Sequence, residues 1–117
     1  DKTQLLINSD PNINILFCTS SVSTLGAARA VVDLNLVGEV NIIGFGDHPE
    51  IRRFVEKGVI STIIVRDPYL MGKLAVENLN DYKKGKSISE FINTDVKVIT
   101  RENISYLNNR GGEDGVK

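Results

Sequence analysis

Three short groups of polar residues could hold a ligand in this chain, and each directly follows an apolar stretch. Ser20 and Ser21 come after the first stretch. Gly46 and Asp47 come after the second, and Arg66 closes the third. Hydroxyls can orient a ligand, a carboxylate accepts hydrogen bonds, and a guanidinium donates paired hydrogen bonds to hydroxylated or anionic groups. These residue types predict the binding of a polar small molecule.

The sequence also leaves structural roles open for the same residues. Ser21 or Ser23 can cap the helix that follows, which would leave the Ser20 hydroxyl to face the ligand. Asp47 has the type and position of a helix cap, because a proline and a glutamate follow it in the order of a helix start. Arg66 is also compatible with a solvated strand end.

The chain lacks the motifs of catalysis, nucleotide binding and metal binding. Gly44 and Gly46 lack the third glycine of a dinucleotide fingerprint, because Pro49 occupies that turn. No glycine-rich loop carries the lysine of a P-loop, and the serines lack the strained turn of a nucleophile. The single histidine, His48, has no metal-binding partners at ligand spacing. We therefore predict a protein that is not an enzyme and needs neither cofactor nor metal.

The composition excludes several other classes of protein. With 41% hydrophobic and 25% charged residues, the chain is globular rather than disordered. Its formal net charge is -1 and its basic residues are scattered, which argues against direct nucleic-acid binding. No apolar stretch reaches the roughly 18 residues of a membrane span. The one cysteine, Cys18, lies in an apolar stretch and is expected to be buried.

The elements that must position the polar groups alternate between strand and helix. Apolar stretches at residues 13–18, 40–45 and 60–66 predict strands, the first of them buried on both faces. A helical pattern follows each strand. This alternation predicts an α/β fold with a doubly wound parallel sheet, which binds ligands beyond the carboxyl ends of its strands. The three polar groups should therefore lie along one edge of the sheet.

The end of the chain has a weaker pattern. Alternating residues at 96–100 predict a final, partly exposed strand. Residues 108–117 are rich in glycine and charge, and we expect them to form a flexible tail.

The ordered motifs of the chain resemble one protein family. Residues 16–27, 43–50 and 57–72 resemble the second lobe of type I periplasmic-binding-fold proteins, and the likeness spans roughly residues 11–104. This family includes sugar-binding components of bacterial transporters and the ligand domains of lac-repressor-type regulators.

The resemblance implies a sugar site between two lobes. Matched by motif, its polar positions are Ser20 or Ser21, Gly46 or Asp47, and Arg66. The family commonly has asparagine and aspartate at the first position and an aspartate directly after the Gly-Phe pair. This chain has two serines and Gly46 there. The departures suggest a ligand other than an ordinary hexose, such as a pentose or an acidic or phosphorylated sugar, or a lobe that has lost tight binding.

The resemblance also implies that the chain is part of a larger fold. Residues 1–107 would form part of the second lobe, and the helix at 68–84 would pack on the other lobe. The missing material would come from the remainder of the same protein or from a swapped copy of this chain. The apolar face of the helix needs such a partner.

The family suggests two settings for the protein. The first is a bacterial solute-binding protein, periplasmic or extracellular and membrane-anchored as a lipoprotein. It would close on its ligand and be recognised by a membrane permease or a sensor kinase. The second is the effector domain of a cytoplasmic transcription regulator whose DNA-binding helices lie outside this segment.

Overall fold

The computed structural model describes residues 2–110, which form nine helices and strands. In chain order these are α1 (Lys2–Ser9), β1 (Ile15–Phe17), α2 (Ser21–Asp33), β2 (Asn41–Phe45), α3 (Pro49–Glu56), β3 (Thr62–Arg66), α4 (Pro68–Lys83), β4 (Val96–Ile99) and α5 (Ser105–Arg110). The described residues divide into a first unit, 2–65 with 98–110, and a second unit, 66–97.

The strands form one sheet in the order β1-β2-β3-β4. β1 pairs parallel with β2, with Ile15 opposite Asn41. β2 pairs parallel with β3, with Ile43 opposite Thr62. The expected α/β fold with parallel strands is confirmed, and the first three strands therefore end at the same edge of the sheet.

The expectation that the first strand is buried on both faces is wrong. β1 has three residues, and its Ile15 and Phe17 side chains are 57% and 61% exposed. Leu16 points the other way and packs against the core. Side chains alternate between the two faces of a strand, so a continuous apolar stretch is buried on both sides only where both faces are covered. Within the described residues, only the Leu16 face of β1 is packed on the core.

The core of the first unit is formed by the sheet and by side chains of α1, α2, α3 and α5, with Ile7 as the contribution of α1. It combines small side chains of α2 with branched ones of α3 and of the two inner strands, and α5 adds Leu107. The central members are Ala27, Ala28, Val31, Ile42, Ile51, Val55, Ile63 and Leu107. Alanines at the sheet-facing positions of α2 allow that helix to lie close to the strands. Arg29 and Glu50 join α2 to α3 at the surface through N–O distances of 2.8 and 2.9 Å.

The second unit is built on α4, which has no buried side chain. The apolar face expected for this helix is exposed: Leu79 is 55% and Tyr82 66% exposed. Asp67, directly before Pro68, caps the helix, and its Oδ1 accepts a hydrogen bond from the Leu70 N–H at 3.0 Å. None of the described helices has the length and apolar character to cross a membrane.

The C-terminal segment is more regular than its sequence suggests. α5 extends to Arg110, so residues 108–110 of the predicted tail are helical. The rest of that tail, residues 111–117, lies outside the described residues.

Candidate functional site

The first polar group is organised by a capping box at the start of α2. Ser20 has an extended backbone, with φ -147° and ψ 161°, and is the N-cap of the helix. Its Oγ accepts a hydrogen bond from the Ser23 N–H at 3.2 Å, while the Ser23 Oγ accepts one from the Ser20 N–H at 3.1 Å. The prediction that Ser21 or Ser23 is the cap is wrong. The reciprocal bonds require the capping residue three positions before its partner, which here makes Ser20 the cap.

Among residues 2–110, Ser21 carries the free hydroxyl of this group. It is the first residue of α2 and is exposed. Its hydroxyl makes no hydrogen bond to any other residue from 2 to 110. Ser21 is therefore better placed than Ser20 to bind a ligand, because the Ser20 hydroxyl already serves the helix.

Gly46 lies directly against this serine. Its φ is +114°, and a Cβ built there would lie 2.6 Å from the Ser21 Cβ and 3.1 Å from the Ile51 Cδ1. Both the backbone conformation and the space therefore require glycine. The first two polar groups meet at this contact, and no carboxylate can be accommodated at position 46.

Thr24 holds the two groups together, although no sequence motif singles it out. Its side chain is fully buried, and its Oγ1 accepts a hydrogen bond from the Phe45 N–H at 3.0 Å. The same hydroxyl can donate to the Ser20 carbonyl at 2.7 Å or the Phe45 carbonyl at 3.1 Å. The approach is close because position 44 is glycine: a Cβ there would overlap the Thr24 side chain. The start of α2 is thereby fixed to the end of β2.

Asp47 does not cap α3, contrary to the prediction. The N-cap is His48, whose Nδ1 accepts a hydrogen bond from the Glu50 N–H at 3.3 Å. Pro49 is the first helical residue, and the residue before a proline is kept extended, which makes it the capping position. Asp47 instead pairs with Arg52, with 2.5 Å between Oδ1 and Nε.

Arg66 is the last residue of β3 and is exposed. It belongs to the second unit, where it directly precedes the α4 cap, Asp67. The first unit brings together Ser20, Ser21, Gly46 and the start of the Asp47 turn.

A separate cavity of about 480 Å³ lies beside β1, between α1 and α2. Leu6, Phe17, Val22 and Cys18 contribute to its largely apolar lining. Cys18 is buried as predicted, and burial raises the pKa of its thiol, which keeps it in the neutral form. Across residues 2–110, no three histidine, cysteine or acidic side chains cluster as metal ligands.

Comparison with protein families relates the chain to periplasmic binding proteins. The model of the periplasmic binding protein domain matches residues 1–87.

Two curated relatives illustrate the likeness in sequence. The D-allose-binding periplasmic protein of Escherichia coli is 25% identical over 83 residues, which are 71% of this chain and 27% of that protein. The ribose import binding protein RbsB of Haemophilus influenzae is 31% identical over 98 residues, which are 84% of this chain and 33% of that protein. The chain thus spans about a third of the length of these relatives.

Solved structures show the same fold. GanP, a glucose-galactose binding protein from Geobacillus stearothermophilus, superposes with a TM-score of 0.84 and 31% identity, over 87% of this chain and 36% of that one. A chain of the XylFII-LytSN complex superposes with a TM-score of 0.76 and 39% identity, over 87% of this chain and 36% of its own length.

Proposed function

We propose, from the premise that this chain belongs to the periplasmic binding protein domain family, that it is part of a protein that binds a sugar. The observation that carries the proposal is the contact between Ser21 and Gly46. This contact unites two polar groups at the carboxyl edge of a parallel sheet, where α/β folds bind ligands. The relatives named for allose, ribose and glucose-galactose binding support a monosaccharide as the ligand.

The details of this edge favour a sugar other than an ordinary hexose. Position 46 cannot carry a carboxylate, and one oxygen of Asp47 is already paired with Arg52. The edge therefore offers fewer acceptors for ligand hydroxyls than it would with the aspartates that the resemblance implies at these positions. Arg66, at the end of β3, adds a guanidinium that could bind an acidic or phosphorylated group. The proposed ligand is thus a pentose or a sugar that carries a negative charge.

Binding would act through closure of two lobes. A ligand that contacts both lobes stabilises the closed state by the contacts it gains only there. Ser21 would bind one edge of the sugar, Asp47 would accept from a hydroxyl, and Arg66 would donate charge-assisted hydrogen bonds.

The second lobe would be supplied by the rest of a longer protein. The chain spans about a third of its relatives, and the apolar side chains of α4 and the outer face of β1 are exposed. Such surfaces need a cover in a stable protein. Alternatively, a swapped copy of this chain would supply the second lobe and bury these surfaces.

The closed state would be recognised at a bacterial membrane. The relatives named as periplasmic or import binding proteins support a periplasmic location and a permease as partner. The 39% identity to a chain of the XylFII-LytSN complex supports a signalling partner instead. A pull-down of the sugar-loaded protein against permease and sensor candidates would distinguish the two partners.

The ligand is tested by thermal shift with a panel of pentoses, hexoses, sugar acids and sugar phosphates, on the full-length protein that carries this chain. At a hundred times its Kd, a specific sugar adds about 2.7 kcal/mol to the stability, a shift of several degrees in Tm. Arg66→Gln should weaken binding of a charged sugar roughly tenfold or more. Arg53→Gln, an exposed arginine on α3, is the matched control. If no sugar raises the Tm, the proposed function is wrong.

A further inference from the structure

Arg52 of α3 connects the turn after β2 to α5 through a relay of hydrogen bonds from Asp47 to Arg52 to Leu107; Leu107 lies 55 residues after Arg52 in the sequence. Arg52 donates from Nε to the Asp47 Oδ1 and from Nη1 to the Leu107 carbonyl, at 2.9 Å. The Arg52 and Asp47 side chains are only 24% and 31% exposed, so water screens this pair less than a fully exposed one. One planar guanidinium thus holds both the Asp47 turn and α5.

The contact matters for α5 because that helix is short. It has six residues, and a helix of this length does not form stably by itself. Its last four carbonyls have no partner within the helix, and Arg52 binds one of them. The Leu107 side chain is fully buried in the core. The Leu107 side chain and the Arg52 hydrogen bond therefore both contribute to the docking of α5.

The same contact orients Asp47. Its Oδ1 is held by Arg52, while Oδ2 accepts no hydrogen bond from the described residues. Asp47 follows Gly46, which is itself fixed against Ser21. The guanidinium thus occupies one oxygen of Asp47 and leaves Oδ2 as the acceptor that no described residue uses.

We propose that Arg52 is a positioning residue that couples the ligand-binding edge to α5. It fixes Asp47 for a ligand hydroxyl, and a ligand bound to Asp47 in turn strengthens the docking of α5. Coupling between two sites is reciprocal by thermodynamic necessity. The part of the proposal that concerns ligand rests on the proposed sugar-binding function, whereas the coupling of Asp47 to α5 can be tested without any ligand.

The ligand-free test is a double-mutant cycle read by hydrogen exchange. Amide exchange of residues 104–110 is measured in the full-length protein and in Asp47→Asn, Arg52→Gln and the double variant. Arg52→Gln should speed exchange roughly tenfold, and Asp47→Asn roughly threefold. The double variant should match Arg52→Gln alone, because both changes break one relay. If Asp47→Asn leaves α5 exchange unchanged, or if the two effects multiply, the proposal is overturned.

Two controls separate the relay from general loss of stability. Arg29→Gln breaks the other bridge to α3, between α2 and Glu50, and should leave α5 exchange unchanged. Amides of residues 27–31, in the core of α2, should exchange at the same rate in all four proteins. Arg52→Lys keeps the charge but not the planar guanidinium. On a logarithmic scale, its α5 exchange rate should lie closer to that of Arg52→Gln than to that of the parent protein. Full restoration by lysine would overturn the positioning role.

The ligand arm uses the sugar that gives the largest thermal shift in the panel. That sugar should slow α5 exchange in the parent protein and lose most of this effect in Arg52→Gln. A sugar that binds without changing α5 exchange overturns the ligand part of the coupling. If no sugar binds, the proposed function fails, and the ligand-free cycle still decides whether Arg52 couples Asp47 to α5.

Discussion

At the scale of single residues, the candidate site depends on one buried hydroxyl. Thr24 is fully buried, and its Oγ1 bridges the start of α2 and the end of β2. The free energy of a buried hydrogen bond is small, but removing one partner leaves the other desolvated. Thr24 therefore matters both for stability and for the position of Ser20 and Ser21.

Thr24→Val should lower the free energy of unfolding by about 1–3 kcal/mol, because valine matches the shape of threonine but neither accepts from Phe45 nor donates to Ser20. Thermal or chemical denaturation measures the loss. Thr19→Val, at an exposed threonine five residues earlier, is the matched control and should change stability by less than about 0.5 kcal/mol. Equal losses in the two variants would show that the Thr24 hydroxyl does not support the fold.

Residue types identified the polar positions, but not which of their atoms are free. The sequence placed Ser20, Ser21, Gly46 and Asp47 after strands, and the structure confirms those places. It could not show that the Ser20 hydroxyl is occupied by Ser23, or that Asp47 pairs with Arg52. Several arrangements of such short-range bonds fit one sequence, and packing selects among them. That these residues and Arg66 bind ligand stays a prediction.

At the scale of elements, the proline-led helices were the most predictable. Pro49 and Pro68 each open a helix, as expected from the fixed φ of proline at the first helical position. The capping residue was predictable for α4, where Asp67 directly precedes the proline. For α3 the predicted capping residue, Asp47, was wrong, because His48 lies between Asp47 and Pro49 and takes the capping position.

Gly26 offers a test of how much the helix propensity of α2 contributes to the stability of the protein. It lies inside the helix, and a Cβ built there meets no atom within 4 Å among the described residues. Gly26→Ala should therefore stabilise the protein by about 0.5–1 kcal/mol, because alanine restricts the unfolded chain more than glycine does. Denaturation of the two proteins measures the difference.

Gly38→Ala is the contrasting variant. Its surroundings are equally open, but its φ of +89° strains any other residue, so it should be destabilising. A loss of stability in Gly26→Ala would mean that another part of the full-length protein fills the cavity beside β1, where Gly26 contributes to the lining.

At the scale of the whole molecule, the exposed apolar surfaces are the main feature. α4 has no buried side chain, and β1 exposes Ile15 and Phe17. The chain spans about a third of its relatives, so both surfaces have candidate covers in a longer protein. The prediction that α4 packs on another lobe has a direct test.

In the full-length protein, Leu79→Gln should lower the free energy of unfolding by roughly 2 kcal/mol if α4 is covered, because the buried area of a leucine is lost. Lys73→Gln is the control on the same helix: its ammonium lies 3.9 Å from Glu77 at the surface, and the change should be close to neutral. Denaturation of the three proteins decides between a covered and an exposed face. Two equally stable variants would contradict the packing of α4 on a second lobe.

The amino-acid sequence by itself determined the alternation of strands and helices, the parallel sheet and the positions of Ser20, Ser21, Gly46 and Asp47 directly after its first two strands. These follow from hydrophobic periodicity and from proline and glycine, which act over a few residues. Only the tertiary structure decided that Gly46 touches Ser21, that Thr24 binds Phe45 and that Arg52 joins Asp47 to Leu107. Apart from the local Asp47–Arg52 pair, these contacts connect residues 21 to 55 positions apart, and packing in three dimensions sets them rather than local preference.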